Sequence, residues 1–329
     1  MRSACERGTL LLFFFILLFI MAPSPVYADK LIVSTNNFSY SLGATINVFG
    51  SLTDVSIPVT DGLVAVQAED DSGNLRLIRV VSTGQAPPAR EARIVELMSC
   101  DSDGNPRSSF DRGEFVSFKV TVESLASFPV KITIFFNLFD SVGRSTITSF
   151  HAHSLTPGEL FPYTESILIP HDFFPGAAMC YVNVLTANVL PAMPKFDGYP
   201  CCPEESVEIT ITGTETQATS SESELSIDSE GYYGLSFKLP DTAALGRYDV
   251  YARARYNAWA SVEFDYFWLY TDVNRDGEVN IVDFSAPAKA FGSKMGDSNY
   301  YSLADINEDR LINIIDISAV AVDYGKVMT

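Results

Sequence analysis

Short runs of alternating apolar and polar residues, separated by turn residues, fill the chain from Leu31 to Leu269. In the run Phe115–Val122, valine or phenylalanine occupies every even position from 116 onward, and serine, lysine and threonine lie between them. A period of two places one set of side chains in a core and the other in solvent. No stretch of helical period interrupts this region, so the sequence predicts a mainly β fold for most of the chain.

Two segments carry the same order of corner signals, which indicates two β-sandwiches rather than one. Ile169-Pro170 precedes the strand at Cys180, and Leu239-Pro240 precedes the strand at Tyr248. In both cases a glycine lies between the proline corner and the strand.

The opening strands at Leu31–Ser82 lack closing strands, which follow only at Gly231–Val250. A complete second β unit and a Ser/Thr/Glu-rich linker lie between them, so we expect one sandwich to be inserted into a loop of another. The outer sandwich resembles the macroglobulin-type immunoglobulin-like domain of exported archaeal and bacterial proteins, over Thr35–Gly73 and Gly231–Val250. Three sandwiches in sequence are the alternative. The predicted units are a signal peptide at 1–28, an immunoglobulin-like sandwich at 29–88 and 214–270, an inserted immunoglobulin-like sandwich at 89–213, and a C-terminal module at 271–329.

Two segments of the C-terminal module carry the strongest chemical signal. From Asp272 to Asp283, oxygen-bearing side chains occupy loop positions 1, 3, 5, 9 and 12, with glycine at position 6. The same ligand spacing returns 33 residues later, from Asp305 to Asp316. Calcium requires six to eight oxygens, and this spacing makes alternate side chains converge with the carbonyl at position 7. The tandem copies predict two calcium loops.

Each loop is followed by a helix-like apolar pattern, and its position 12 is aspartate rather than the glutamate of ordinary EF-hands. Tyr266–Tyr270 has the pattern of a strand, which leaves no entering helix before the first loop. The segment resembles a type I dockerin, the small paired loop-helix module, EF-hand-like, that binds cohesin domains. The resemblance implies calcium as the cofactor and a cohesin-like domain as the partner. It implies two ligand sets, namely Asp272, Asn274, Asp276, the carbonyl of Glu278, Asn280 through water and Asp283, and then Asp305, Asn307, Asp309, the carbonyl of Leu311, Asn313 through water and Asp316.

Two residues depart from this pattern. Arg310 stands where Gly277 provides the turn in the first loop, and a side chain in a left-handed backbone costs roughly 1 kcal/mol, so the second site is expected to bind more weakly. Pro287 falls in the first predicted helix, which is therefore expected to begin late or to kink.

Dockerins contact their partners through residues at the end of each loop and along the following helix. The matching pairs are Ile281-Val282 and Ile314-Ile315. Exposed aliphatic pairs suit an apolar docking patch, whereas the alternative is that they fill the small core of the module itself.

The first 28 residues predict a signal peptide, because two arginines precede an apolar run from Leu10 to Ala22 and Val26 and Ala28 suit cleavage before Asp29. An uncleaved membrane anchor is the alternative. Without the two arginines and one glutamate of this leader, 20 basic residues face 40 acidic ones. A surface so acidic repels nucleic acid and anionic lipid, so we expect no nucleic-acid partner. The signal peptide itself predicts a secreted or cell-surface protein.

Four cysteines remain after the leader, an even count that favours disulfides in an exported chain. Adjacent Cys201 and Cys202 are poorly placed to bond each other, and we predict the pair Cys100–Cys202. Asn37 begins an Asn-Phe-Ser glycosylation sequon.

The sequence offers no convincing catalytic set. His151 and His153 could share one face of a strand, but no third zinc ligand is identifiable, and the Ser-elbow, phosphate-loop and HExxH motifs are absent. We therefore expect a non-catalytic interaction protein. The alternatives are a carbohydrate-binding or adhesin protein whose inserted sandwich contacts a surface glycan, and a dockerin-bearing polysaccharide hydrolase.

Overall fold

The computed structural model describes residues 30–37, 39–40, 42–84, 88–187, 198–213, 231–240, 242–244, 246–257, 259–269, 271–274, 276, 278–306 and 310–327. The signal-peptide prediction for residues 1–28 lies outside these ranges, as do the predicted ligands Asn307 and Asp309. The strands are β1 Lys30–Thr35, β2 Ser39–Tyr40, β3 Ile46–Asp54, β4 Ile57–Pro58, β5 Leu63–Asp70, β6 Leu75–Ser82, β7 Ala92–Cys100, β8 Ser109–Asp111, β9 Phe115–Ser124, β10 Val130–Phe139, β11 Ser145–Leu155, β12 Leu160–Leu168, β13 Gly176–Thr186, β14 Glu205–Thr212, β15 Tyr232–Phe237, β16 Gly246–Tyr256 and β17 Trp259–Leu269. The helices are α1 Ile281–Ala290 and α2 Ile314–Asp323, with a 3₁₀ turn at Ser302–Ala304.

Strands from both ends of the β region share two sheets. One sheet has the order β1-β3-β15 with β4 beside β3, and the other has the order β2-β17-β16-β5-β6. Their inner faces enclose one core, which includes Leu52 and Tyr233 from the first sheet and Val66 and Tyr248 from the second. We call this pair of sheets the outer unit.

The strands between β6 and β15 form a second pair of sheets, which we call the inner unit. Its sheets have the orders β11-β10-β13-β14-β8 and β12-β9-β7. Alternation explains the packing: Val116, Phe118, Val120 and Val122 of β9 are fully buried in the core of this unit. The molecule is mainly β, as the sequence period predicts.

The edge strand β6 of the outer unit lies against the inner unit. Its Val80 N–H donates to Asn183 Oδ1 at 2.9 Å, and Asn183 Nδ2 donates to the carbonyl of Ile78 at 3.2 Å. Arg79 binds Glu204 through both carboxylate oxygens, and its guanidinium lies 3.3 Å from the ring centroid of Tyr181. An edge strand with unpaired backbone groups is therefore covered by side chains of the neighbouring unit.

The predicted disulfide between Cys100 and Cys202 is not formed. All four cysteines, Cys100, Cys180, Cys201 and Cys202, are buried free thiols. Cys202 contacts the backbone of Ile94 on β7, and Cys100 lies six residues further along that strand, about 20 Å away at the rise of a β-strand. A disulfide requires Cα atoms within about 7 Å, so the pair is too far apart. Burial raises the pKa of the Cys202 thiol to about 12, which keeps it protonated and unreactive.

Asn37, the acceptor of the sequon, is half-exposed in the turn between β1 and β2. Within the described ranges, neither helix has the length and apolar character needed to cross a membrane.

Candidate metal centre and docking surface

The first loop folds back onto its own oxygen atoms. The backbone N–H of Asp276 donates to Asp272 Oδ1 at 3.3 Å and to Asn274 Oδ1 at 2.8 Å. The N–H of Glu278 then donates to Asp276 Oδ1 at 3.0 Å. The side chains at positions 1, 3 and 5 are thus held along one tight backbone curve, as the alternating spacing predicts.

The last two ligand positions of the first loop also begin helix α1. The side chain of Asn280 accepts the N–H of Val282, and the carboxylate of buried Asp283 accepts the N–H of Asn280. These reciprocal bonds form a capping box, which satisfies backbone donors that every helix start leaves unpaired. The other oxygen of Asp283 accepts the N–H of Asn274 at 2.9 Å, so this one carboxylate joins the loop to the helix.

The second loop repeats this construction. Asn313 caps α2 through the N–H of Ile315, and the fully buried Asp316 accepts the N–H groups of Asn313 and Ile306. The position-1 residue Asp305 is also buried, and its Oδ2 accepts the N–H of Arg310 at 2.8 Å. The position-9 asparagine and the position-12 aspartate therefore have equivalent roles at the two helix starts.

The second loop contains one residue in a strained backbone conformation. Arg310 has a φ of +70°, the left-handed region that the sequence analysis assigned to this turn position. The expectation that Pro287 delays the first helix is wrong, because α1 begins at Ile281 and contains Pro287. The capping box at its first turn fixes the helix start ahead of the proline.

Backbone hydrogen bonds join each loop to the segment that follows the helix of the other repeat. Val279 of the first loop donates to the carbonyl of Lys326 at 2.9 Å, and Gly325 donates back to Val279 at 2.7 Å. Ile312 of the second loop is paired in the same manner, with Ser293 and Gly292 after α1. Loops and helices thus hold one another in a reciprocal arrangement, and two small apolar clusters fill the space between them.

The donor chemistry fits a calcium ion. All the predicted ligand atoms are oxygens, the hard donors that calcium requires. Asp305 Oδ1 is buried and has no hydrogen-bond donor among the described residues, an expensive state for a carboxylate oxygen that a cation would relieve. No three histidine, cysteine, aspartate or glutamate side chains in the described ranges form a metal-holding cluster.

The aliphatic pairs at the helix starts lie at the surface. Ile281 and Val282 are 63% and 52% exposed, and Ile314 and Ile315 are 62% and 56% exposed. The module's two apolar clusters are built from other residues, among them Val273, Val279, Ile306 and Ile312. The pairs are therefore surface residues and do not fill the module's own core.

Two residues that the sequence analysis did not single out support this module. The fully buried carboxylate of Asp323 accepts the N–H of Thr271 at 3.0 Å and its hydroxyl at 2.8 Å, and so joins the start of the module to the end of α2. Tyr300 donates its hydroxyl to Asp305 Oδ2 at 2.5 Å. A tyrosine five residues before a position-1 aspartate is the only sequence signal for this second contact.

The histidine pair of the inner unit lies elsewhere and has a different environment. His153 stacks on Phe161 with ring centroids 3.6 Å apart, and His151 stacks on Tyr163 at 4.0 Å. His153 Nε2 also lies 3.0 Å from Glu159 Oε1. These rings pack across the gap between the edge strands β11 and β12.

The comparisons with known proteins agree with the module. Residues 270–322 match the family model of the dockerin type I domain. Dockerin type I domains bind calcium and cohesin partners, so this match supports a calcium-dependent, cohesin-binding module. Among curated proteins no match is found.

Solved structures similar to the chain match only in part. The DNA glycosylase AlkC of Pseudomonas fluorescens is 19% identical over 39% of this chain and 32% of its own, with a TM-score of 0.27. The C-terminal domain of wzt is 14% identical over 40% of this chain and 77% of its own, with a TM-score of 0.32. A β-glucosidase of Listeria innocua is 16% identical over 38% of this chain and 16% of its own, with a TM-score of 0.25. This chain thus spans about a third of the glycosylase and a sixth of the glucosidase.

Proposed function

We propose that this chain is an exported, non-catalytic protein that binds a cohesin-like partner through its C-terminal module when calcium is present. The observation that carries the proposal is the pair of exposed aliphatic residues at the start of each helix, immediately after a calcium-type loop. Apolar side chains held at a fixed angle on a helix start are suited to be the central contacts of a protein interface.

Calcium dependence follows from the chemistry of the loops. Each loop carries carboxylates at positions 1, 5 and 12, and drawing them around one point creates a mutual repulsion that opposes folding unless a cation compensates it. When bound, calcium supplies that positive charge and joins oxygens from distant loop positions. Asp283 and Asp316 then connect the conformation of each loop to the start of its helix, through their capping boxes.

The ligand sets proposed for the two ions are those implied by the dockerin resemblance. The proposed sets are Asp272, Asn274, Asp276, Asn280 and Asp283 in the first loop, and Asp305, Asn307, Asp309, Asn313 and Asp316 in the second. In each loop the position-12 aspartate accepts the N–H of the position-9 asparagine, which supports their equivalence. The carbonyls of Glu278 and Leu311 complete the sets.

The outer and inner units are proposed as a spacer that displays the module. The contact between β6 and the inner unit involves buried amides and the Arg79–Glu204 ion pair, and a buried polar contact of this kind holds two units in one orientation. The nested arrangement predicted for residues 29–88 with 214–270 around 89–213 is in keeping with the way β3 pairs with β15 and β5 pairs with β16.

Export and an extracellular or cell-surface location are proposed from the leader-like N-terminus and from the habitual location of dockerin-bearing proteins. The leader, if retained, would be the only expected membrane contact.

A binding measurement with immobilised type I cohesin domains tests this proposal. The full chain is passed over a panel of such domains in millimolar calcium and then in excess chelator, with Asp272→Ala/Asp305→Ala as the matched control. The proposal predicts binding in calcium to at least one cohesin and none in chelator or by the variant. Equal retention of wild type and variant, or binding that survives chelation, would contradict it.

Glycan binding is a second candidate function, and one surface favours it. Phe264, Tyr266 and Trp268 alternate along β17 on the face opposite the buried Phe267 and Leu269. Phe264 is 56% exposed and lies beside Tyr251 of β16, with ring centroids 6.2 Å apart. Aromatic rings on an open sheet face can stack on sugars, and this face belongs to the outer unit, not to the inner unit where the sequence analysis placed a glycan site. Retention on a glycan array that Phe264→Ala abolishes would support this candidate.

A dockerin-bearing hydrolase is the third candidate, and no specific contact among the described residues favours it.

A further inference from the structure

Tyr300 connects one of the module's apolar clusters to a proposed calcium ligand. Its ring packs against the cluster formed by Ala290, Ala304 and Ile312, which lies between the two repeats. Its hydroxyl donates to Asp305 Oδ2 at 2.5 Å. The packed ring therefore fixes the position of the Tyr300 hydroxyl, and the hydroxyl in turn fixes the Asp305 carboxylate.

The contacts of Asp305 divide between its two oxygens. Oδ2 accepts both the Tyr300 hydroxyl and the N–H of Arg310, whereas Oδ1 has no donor among the described residues and is buried. Two donors on one oxygen fix the plane of the carboxylate and leave the other oxygen for a cation. A ligand already oriented in this way loses less conformational freedom when the ion binds.

The first loop has no tyrosine at the corresponding position of the sequence. Five residues before Asp272 the chain carries Phe267, a fully buried core residue of the outer unit with no hydroxyl to donate. The second loop also differs by carrying Arg310 in a left-handed conformation, at the position of a glycine in the first loop. The tyrosine contact thus occurs in the loop that carries this left-handed arginine.

We propose that Tyr300 is a positioning residue for the second calcium site, which orients Asp305 and offsets the strain at Arg310. The inference rests on the proposed function, since it assumes that the second loop takes up calcium. The linker between the repeats then contributes to the calcium affinity of the second site.

Calcium calorimetry on the full chain tests this inference with a matched control one residue away. Tyr300→Phe removes the hydroxyl and keeps the ring that packs on the cluster. Tyr301→Phe makes the same chemical change at a neighbouring side chain that is 44% exposed. An Asp272→Asn variant identifies which of the two binding events belongs to the first loop.

We expect Tyr300→Phe to lower the calcium affinity of the second loop by about 10- to 100-fold, the usual effect of losing the hydrogen-bond partner of a metal ligand. The event of the first loop and both events of Tyr301→Phe should remain within about twofold of wild type, well inside that range. Equal affinities for the two tyrosine variants, or equal weakening of both events by Tyr300→Phe, would overturn the positioning role while leaving the proposed function intact. A wild-type chain that takes up no calcium would overturn both.

Discussion

Asn280 and Asp283 hold the first turn of α1 from opposite directions. The Asn280 side chain accepts the N–H of Val282 at 2.8 Å, and the Asp283 carboxylate accepts the N–H of Asn280 at 2.8 Å. Both residues are also proposed calcium ligands, so the atoms that close the loop are the atoms that begin the helix. The exposed pair Ile281-Val282 lies on the turn that they fix, which couples the metal loop to the docking surface.

Replacement of Asn280 tests this coupling. Asn280→Ala should destabilise the calcium-loaded module by about 1 kcal/mol, because alanine cannot accept the N–H of Val282. Asn280→Ser should lose less, since serine is also a good N-cap. Differential scanning calorimetry of the full chain in calcium measures the effect, and identical transitions for the two variants would contradict the role of the cap.

The two aliphatic pairs should act as alternative anchors for the partner. Ile281→Asp or Ile314→Asp alone should leave cohesin binding measurable, because the other repeat presents a similar pair. The double variant should bind at least about 30-fold more weakly, the effect of losing a central interface contact. Val95→Asp, at a valine that is 46% exposed on β7, provides the same chemical change outside the module. If the double variant bound like Val95→Asp, the docking surface would lie elsewhere.

The amide of Asn183 should stabilise the contact between the two β units. Asn183→Ala removes the acceptor of Val80 N–H and the donor to the Ile78 carbonyl, both in a buried setting. The Ile78 carbonyl then lacks this donor, and Val80 N–H keeps only a longer contact to Glu204 Oε2 at 3.3 Å, so we expect a loss of about 1–3 kcal/mol in the free energy of unfolding. Native-state hydrogen exchange should show faster exchange at Val80 and unchanged exchange in β3. Unchanged exchange at Val80 would show that the amide does not secure this edge.

Glu159 should give the inner unit a pH-dependent stability. The backbone N–H of Thr156, followed by the contact with His153, lowers the pKa of Glu159 to about 2. Because the folded pKa lies below the unfolded value of about 4.5, the ionised carboxylate favours the folded state above pH about 4.5. That contribution is lost as the pH falls toward about 2. The difference in Tm between wild type and Glu159→Gln should therefore shrink between pH 5 and about pH 2.5, and a constant difference would contradict the assignment.

The β character and the dockerin-like module could be predicted from the sequence because both depend on local spacing. A period of two reports which face of a strand is buried, and that prediction of a mainly β fold is confirmed. The spacing of oxygen ligands fixes a loop almost by itself, and the family match at residues 270–322 confirms the resemblance.

Features that arise from contacts between distant segments could not be predicted in this way. Asn137 and Asn183 have the appearance of solvent-facing polar residues in strands, yet both are fully buried because the inner unit packs on β6. The disulfide prediction was wrong because Cys202 lies against β7 near Ile94 and not near Cys100, and this placement depends on the packing of distant segments and not on cysteine count. Tyr300 was missed because its partner is defined by the fold of the linker.

The most direct test of the account is the number of calcium ions that the full chain binds. After removal of metal by chelation, equilibrium dialysis against calcium should find two ions bound per chain. Asp272→Ala and Asp305→Ala should each reduce that number by one, and the double variant should bind none. A wild-type chain that binds no calcium, or a double variant that binds as much as wild type, would contradict the claim that these two loops form the metal centre on which the docking surface depends.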